Sequence, residues 1–293
     1  MYRSLLFVPG DSEKKIAKAT TVGADAVILD LEDAVAESRK AAARGIVREA
    51  LLANVTGRGC ALLVRVNPLG SPLCLDDLET VMAGKPEGIV LPKAVSVDDT
   101  VRLSRHLDDL ELAHGIEAGA TRIIPVATEV PEALFMLGTY RGAGPRLAAL
   151  TWGAEDLAAA VGALDNQDPD GRWSAPFELA RSLCLFAASA AGVPAIDTLH
   201  ADFRDSAGLA ESSRRARRDG FAGKLAIHPD QVAIINAAFT PTEQEVERAR
   251  RIVALFESNP GAGALSLDGR MLDRPHLVQA RKTIALAERL SRR

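Results

Sequence analysis

Short apolar runs alternate with longer amphipathic ones along most of the chain. Ser4 to Val8 reads as a strand closed by Pro9-Gly10, and Asp11-Ser12-Glu13 offers capping residues to a helix carrying Lys14, Lys15 and Lys18. Ala26 to Leu29 forms a second strand that runs into Asp30-Leu31-Glu32-Asp33, followed by a helix over about 36–53. A third strand over 61–67 stops at Pro68, with a helix over 75–83; a fourth covers 88–93, with a helix over 97–114. Strands over 122–128 and 147–150 lead to Glu129 and Asp156, with a helix near 132–138 between them. The loop 165–173 holds too much Asp, Asn, Pro and Gly for regular structure. A helix over 177–191 then precedes a strand over 193–197, and a helix over 202–218 precedes one over 223–229.

Eight strand-then-helix units within residues 1–240 predict a TIM (β/α)8 barrel. A doubly wound open sheet is the alternative, but no Gly-rich dinucleotide fingerprint follows the first strand. Residues 241–293 are surplus to a barrel. Thr242 to Glu245 resembles a capping box, a helix runs to about Glu257, a Gly/Ala link covers 261–264, and a last helix reaches Arg293. These residues predict a C-terminal helical arm or lid that contacts a neighbouring subunit.

Composition narrows the function. The 293 residues are 47% hydrophobic, enough for a large core. Net charge is −4, so no basic field favours nucleic acid or an anionic membrane. The run 213–218, rich in Arg, reads as a solvated helix face. Cys60, Cys74 and Cys184 lack metal-ligand spacing and fit free thiols in a reducing compartment. No signal peptide or membrane span is evident, and a cytoplasmic location is expected.

Polar residues gather at one end of the predicted strands. Asp30, Glu32, Arg65, Asn67, Lys93, Glu129, Asp156, Asp197 and His228 all stand at C-terminal strand ends, where a TIM barrel keeps its active site. Each alone reads as a solvated strand end or an internal ion pair; the repetition carries the signal. Carboxylates without His or Cys partners suit Mg2+ or Mn2+ rather than zinc, and Glu129 with Asp156 is the predicted metal pair. A 2-oxo or 2-hydroxy acid would chelate that ion, and Arg65 can grip a carboxylate with its fork. Free amides where a helix opens after Gly153 can hold an anion. This set fits making or breaking a C–C bond next to a carbonyl. Lys93 reads as a counter-ion to the acids rather than a Schiff-base lysine, and His228 as a hydrogen-bonding cap rather than a base. His106, His114, His200 and His276 show no ligand spacing, and no Gly-x-Ser-x-Gly elbow or P-loop occurs.

The segments 3–10, Leu29-Asp30-Leu31-Glu32-Asp33-Ala34-Val35, Arg65-Val66-Asn67, Leu91-Pro92-Lys93, Gly153-Ala154-Glu155-Asp156-Leu157 and 223–229 resemble the citrate lyase beta subunit and its relatives in the HpcH/HpaI aldolase group. The resemblance runs in order from residue 3 to about 280. It implies an Mg2+-dependent TIM barrel, with Glu129 and Asp156 as metal ligands and Arg65 binding a substrate carboxylate. Glu32 and Asp33 would flank the metal's water shell, and the amides of Ala154, Glu155 and Asp156 would hold the substrate's C1 carboxylate. Met271-Leu272-Asp273 matches a segment that carries an acid/base into a neighbouring subunit, which makes Asp273 catalytic and implies a homotrimer or a multiple of one. The implied partners are a CoA thioester and a 2-oxo acid, with malyl-CoA or citramalyl-CoA lyase activity expected first. A citrate lyase beta subunit, a malyl-CoA thioesterase and a non-catalytic oxo-acid binder are the alternatives. Val130-Pro131 after Glu129, the bulky Trp152 and the loop 165–173 depart from the pattern and mark where specificity would differ. Lys14-Lys15 and Arg39-Lys40 could meet CoA phosphates, but ordinary helix surface is the simpler reading.

Overall fold

The computed structural model describes residues 2–53 and 59–291. The chain divides into two compact units, one ending at Asn236 and the other beginning at Ala237. In the first, β1 (Ser4–Pro9), β2 (Ala26–Asp30), β3 (Ala61–Arg65), β4 (Gly88–Leu91), β5 (Arg122–Pro125), β6 (Leu150–Thr151), β7 (Ala195–Asp197) and β8 (Gly223–Ala226) lie parallel, in the order β5-β4-β3-β2-β1-β8-β7-β6. Parallel bridges Ile123–Leu147 and Val126–Thr151 join the two ends, and Ala127 N donates to Thr151 O over 2.8 Å. The predicted TIM barrel is the observed architecture.

Between the strands run α1 (Glu13–Ala19), α2 (Lys40–Ala53), α3 (Leu73–Met82), α4 (Val97–His114), α5 (Pro131–Leu134), α6 (Glu155–Val161), α7 (Ala175–Ala191) and α8 (Ser206–Asp219), and α9 (Pro229–Phe239) follows β8. Leu5, Ala26, Ile28, Leu63, Val90, Ile124, Ile196 and Leu225 form one apolar cluster inside the barrel. Their neighbours Leu6, Val27, Leu29, Leu62, Val64 and Ile123 are buried as well. Strands covered on both faces therefore read as continuous apolar runs. Period-two alternation then sorts the mouth: Asp30 shares the inward parity of Ile28 and Arg65 that of Leu63, whereas Asp197 has the opposite parity to Ile196.

Several strands stop sooner than the apolar runs suggest. β3 ends at Arg65 and β8 at Ala226, and amides just beyond them turn to side chains: Asn67 N donates to Asp77 Oδ2 (2.8 Å) and Ile227 N to Gln231 Oε1 (2.8 Å). The second unit holds α10 (Glu243–Glu257), β9 (Ala264–Leu267), β10 (Arg270–Asp273) and α11 (Arg274–Ser291) around Ile252, Phe256, Leu272 and Ala280. The capping box of Thr242 and Glu245 is present. The region read as a simple link instead opens an antiparallel hairpin, turning on Asp268 (φ 51) and Gly269 (φ 75). Two left-handed residues are what a two-residue hairpin turn with the strands' twist requires. Among the described residues, no helix is long and apolar enough to cross a membrane.

Candidate active site

Asp30 closes β2 and shapes the loop after it. Its Oδ1 accepts from Glu32 N (2.9 Å) and its Oδ2 from Ala34 N (3.2 Å), folding the backbone that carries Glu32 and Asp33. The same carboxylate receives Arg65 side-on, Nε to Oδ1 at 2.7 Å and Nη2 to Oδ2 at 2.6 Å. The guanidinium also lies over the Phe7 ring, 4.8 Å from its centre. Arg65 Nη1 stands 2.9 Å from Glu32 Oε2 and 3.6 Å from Asp33 Oδ2. The contact with Glu32 lacks hydrogen-bond alignment, so Oε2 is a buried oxygen without a donor.

Lys93 follows β4 by two residues. Its Nζ lies 2.5 Å from Glu32 Oε1, 3.4 Å from Asp156 Oδ1 and 3.7 Å from Asp33 Oδ2. Its main-chain N–H donates to Glu129 Oε2 over 2.6 Å. Glu129 is seated against Gly153, where a Cβ would come within 2.7 Å of the Glu129 Cγ, so the small residue is a steric requirement. Gly153 N in turn donates to Thr128 Oγ1 (3.2 Å). Asp30, Glu32, Asp33, Arg65, Lys93, Glu129 and Asp156, all picked from the sequence, are thus brought together. Ala154, Glu155 and Asp156 form the entry to α6, whose first-turn amides have no intrahelical acceptor.

The charges do not balance. Five carboxylates (Asp30, Glu32, Asp33, Glu129, Asp156) face two cations (Arg65, Lys93), a formal excess of three negative charges. Burial, the Asp156 charge and the Glu32 charge push the Glu129 carboxyl up to about 8, against the pull of the Lys93 amide and Arg65. Burial also raises Glu32, outweighing Arg65 and Lys93. For Arg65 burial acts downward, but the hydrogen bond and charge of Asp30 prevail and hold it above its ordinary value. Among the described residues no three His, Cys, Asp or Glu side chains form a ready-made metal cage. Mg2+ does not need one: it keeps several waters and takes one or two carboxylates. Crowded, proton-holding acids without imidazole or thiolate fit such a hard dication.

Other candidates lie elsewhere. Asn67 belongs to a buried network behind the loop, where Lys40 Nζ donates to Leu31 O (2.9 Å), Glu32 O (2.9 Å) and Asn67 Oδ1 (2.8 Å). Lys40 is therefore not helix surface: three acceptors hold its ammonium inside. Asp197 pairs with Lys224 (2.8 Å) and with Arg181 of α7 (3.2 Å), on the helix side of the strand. Trp152 is fully buried, its Nε1 donating to Asp197 Oδ1 (2.8 Å) and its ring edge-on to Trp173 at 5.0 Å, so its bulk serves packing. His228 stacks on Phe203 at 4.8 Å. In the second unit Asp273 ends β10, with Oδ1 2.5 Å from His276 Nδ1.

Residues 3–229 match the model of the HpcH/HpaI aldolase/citrate lyase family, and residues 183–290 match that of a C-C bond lyase of the TIM-barrel fold. The (3S)-malyl-CoA thioesterase of Cereibacter sphaeroides is 33% identical, over 99% of this chain and 96% of its own. The mitochondrial citramalyl-CoA lyase of Mus musculus is 34% identical, over 97% and 86%. The crystal structure of the CitE protein from Mycobacterium tuberculosis with magnesium, acetoacetate and coenzyme A superposes with a TM-score of 0.80 at 32% identity, covering 98% of both chains.

Proposed function

Because the chain belongs to the HpcH/HpaI aldolase/citrate lyase family, we propose that it is an Mg2+-dependent carbon–carbon lyase that splits a 3-hydroxyacyl-CoA thioester of the malyl-CoA or citramalyl-CoA kind into acetyl-CoA and a 2-oxo acid. The observation that carries this reading is the gathering of Glu32, Asp33, Glu129 and Asp156 with Arg65 at one barrel mouth. Held by Glu129 and Asp156, Mg2+ would supply Lewis-acid polarisation of the oxygens next to the breaking bond. Arg65 spends Nε and one N–H of Nη2 on Asp30, which leaves terminal N–H groups to bind the oxo-acid half of the substrate. The amides of Ala154, Glu155 and Asp156 serve the same carboxylate.

Glu32, with Asp33 beside it, takes the hydroxyl proton, a task for which its upward-shifted pKa suits it. The electrons of the C–C bond pass into the thioester as an enolate, and the hydroxyl carbon becomes the carbonyl of the 2-oxo acid. Asp273 then returns a proton to the enolate carbon, reaching the site from a neighbouring subunit of a homotrimer or a multiple of one.

Incubation of the purified chain with malyl-CoA and with citramalyl-CoA in the presence of Mg2+, followed by mass spectrometry, tests the reading. Acetyl-CoA together with glyoxylate or pyruvate is the expected result. Free malate with CoA would instead support a thioesterase, the reading favoured by the Cereibacter relative. Inertness on free CoA esters would favour a citrate lyase beta subunit acting on a carrier-bound thioester.

A further inference from the structure

Lys93 is fixed from two sides at once. Its backbone is left-handed (φ 52), a conformation that is unfavourable for a residue with a Cβ. That turn lets the amide donate to Glu129 while the ammonium enters the space between Glu32 and Asp156. Arg65 cannot take this place, because its side-on edge is committed to Asp30. Burial disfavours the Lys93 ammonium, but the hydrogen bond to Glu32 and the charges of Glu32, Asp156 and Glu129 outweigh it and keep the group charged.

We propose that Lys93 is a built-in competitor for the divalent ion: its ammonium offsets part of the acid cluster's charge in the metal-free protein and weakens metal binding, while its main-chain N–H orients Glu129. This rests on the metal reading of Glu129 and Asp156 given above. An ammonium 3.4 Å from Asp156 Oδ1 lies within about 6 Å of any ion that oxygen coordinates, given metal–oxygen distances of about 2.1 Å. At that range a dication and an ammonium repel strongly even in a polarisable medium, so loss of the charge should tighten metal binding at least about tenfold.

The probe is Mn2+, titrated calorimetrically into the full chain and into Lys93→Gln and Lys93→Arg, with thermal unfolding of each measured without metal. Lys93→Gln should bind Mn2+ at least about tenfold more tightly and melt at a lower temperature without metal. Lys93→Arg, which keeps the charge, should stay within about threefold of the native affinity. Equal or weaker binding by Lys93→Gln overturns the proposal and makes Lys93 a support for the site. Tightening in Lys93→Arg as large as in Lys93→Gln also overturns it, because charge would not be the cause. Should Asp156→Asn bind Mn2+ as the native chain does, the metal reading itself fails, which is a distinguishable outcome.

Discussion

Two partly buried ionic clusters stand at strand ends of the same barrel, and they differ in one respect. Around Asp197, three acids (Asp197, Asp219, Glu178) meet Lys224, Arg181 and Arg215, with the exposed Arg218 a further 3.9 Å from Asp219. Burial pushes the Asp197 carboxyl up, but the charges of Lys224 and Arg181 and the hydrogen bonds from Lys224 and Trp152 hold it below its ordinary value. Around Lys93 five acids meet two cations, and Glu129 is driven to about 8. A cluster that satisfies its own charges is part of the scaffold. One with surplus carboxylates is stable only with protons or a cation from outside, and such surpluses mark functional sites.

The contrast is broken most directly by removing one acid from each cluster. Asp156→Asn should lower turnover of the cleaved CoA ester by about a thousandfold or more and weaken Mn2+ binding. Asp273→Asn should abolish turnover to a similar extent with Mn2+ binding intact, since the role proposed for Asp273 is with the proton and not with the metal. Steady-state kinetics beside Mn2+ titration separate the two. Turnover retained in Asp273→Asn would remove that residue from the mechanism. Asp197→Asn should behave in the opposite way, leaving Lys224 and Arg181 buried beside a neutral amide. A loss of about 3 kcal/mol in denaturant unfolding is expected, with kcat per folded molecule unchanged.

The pH dependence of stability should also carry opposite signs in the two clusters. A carboxyl raised to about 8 holds its proton in the folded chain across pH values where the unfolded chain, titrating near its ordinary value of about 4.3, has released it. The folded state then binds more protons, so the metal-free protein should lose stability as pH rises from about 4.3 to about 8. Glu129→Gln should flatten that slope and be about 2 kcal/mol more stable than the native chain at pH 8 without metal. Asp197 works the other way: its folded value is depressed, so its contribution is present above about pH 4 and lost as pH falls below it. Unfolding curves between pH 3 and 8 in a chelator test both slopes. A Glu129→Gln chain no more stable than native at pH 8 would mean that the carboxylate is not strained without metal.

The sequence held the barrel and most of the mouth, because parallel strands covered on both faces leave uninterrupted apolar runs that end in polar residues. It could not separate Asp197 from Asp30. Both follow an apolar strand, and the inward or outward parity of Ile196-Asp197 is set by register, which no local pattern reveals. The burial of Lys40 is hidden for a related reason: its acceptors are carbonyls of Leu31 and Glu32 and the side chain of Asn67, contacts between elements that lie apart along the chain. The left-handed turn at Lys93 has no local signal either, since Gly or Asn is the ordinary choice there. The hairpin over 264–273 is missed by the apolar pattern, although its turn carries a local signal. Asp268-Gly269 between Leu265-Ser266-Leu267 and Arg270-Met271-Leu272 is a strong two-residue turn signal, masked by the glycines at 261 and 263.

The smallest expected effect lies at the edge of the balanced cluster. Glu178 is about one-third exposed, with Oε1 3.3 Å from Arg181 and Oε2 2.8 Å from Arg215. Ion pairs open to solvent contribute roughly 1 kcal/mol or less, because water screens them and two long side chains must be ordered. Arg181 also keeps Asp197 and Asp219 when Glu178 is neutralised. Glu178→Gln should therefore cost below about 1 kcal/mol in unfolding, with turnover unchanged. A cost matching that of Asp197→Asn would show that the three acids act as one cooperative network. The division between a satisfied scaffold and a charge-surplus site would then rest on whole networks, and Lys93 with its acids would have to be perturbed as a set.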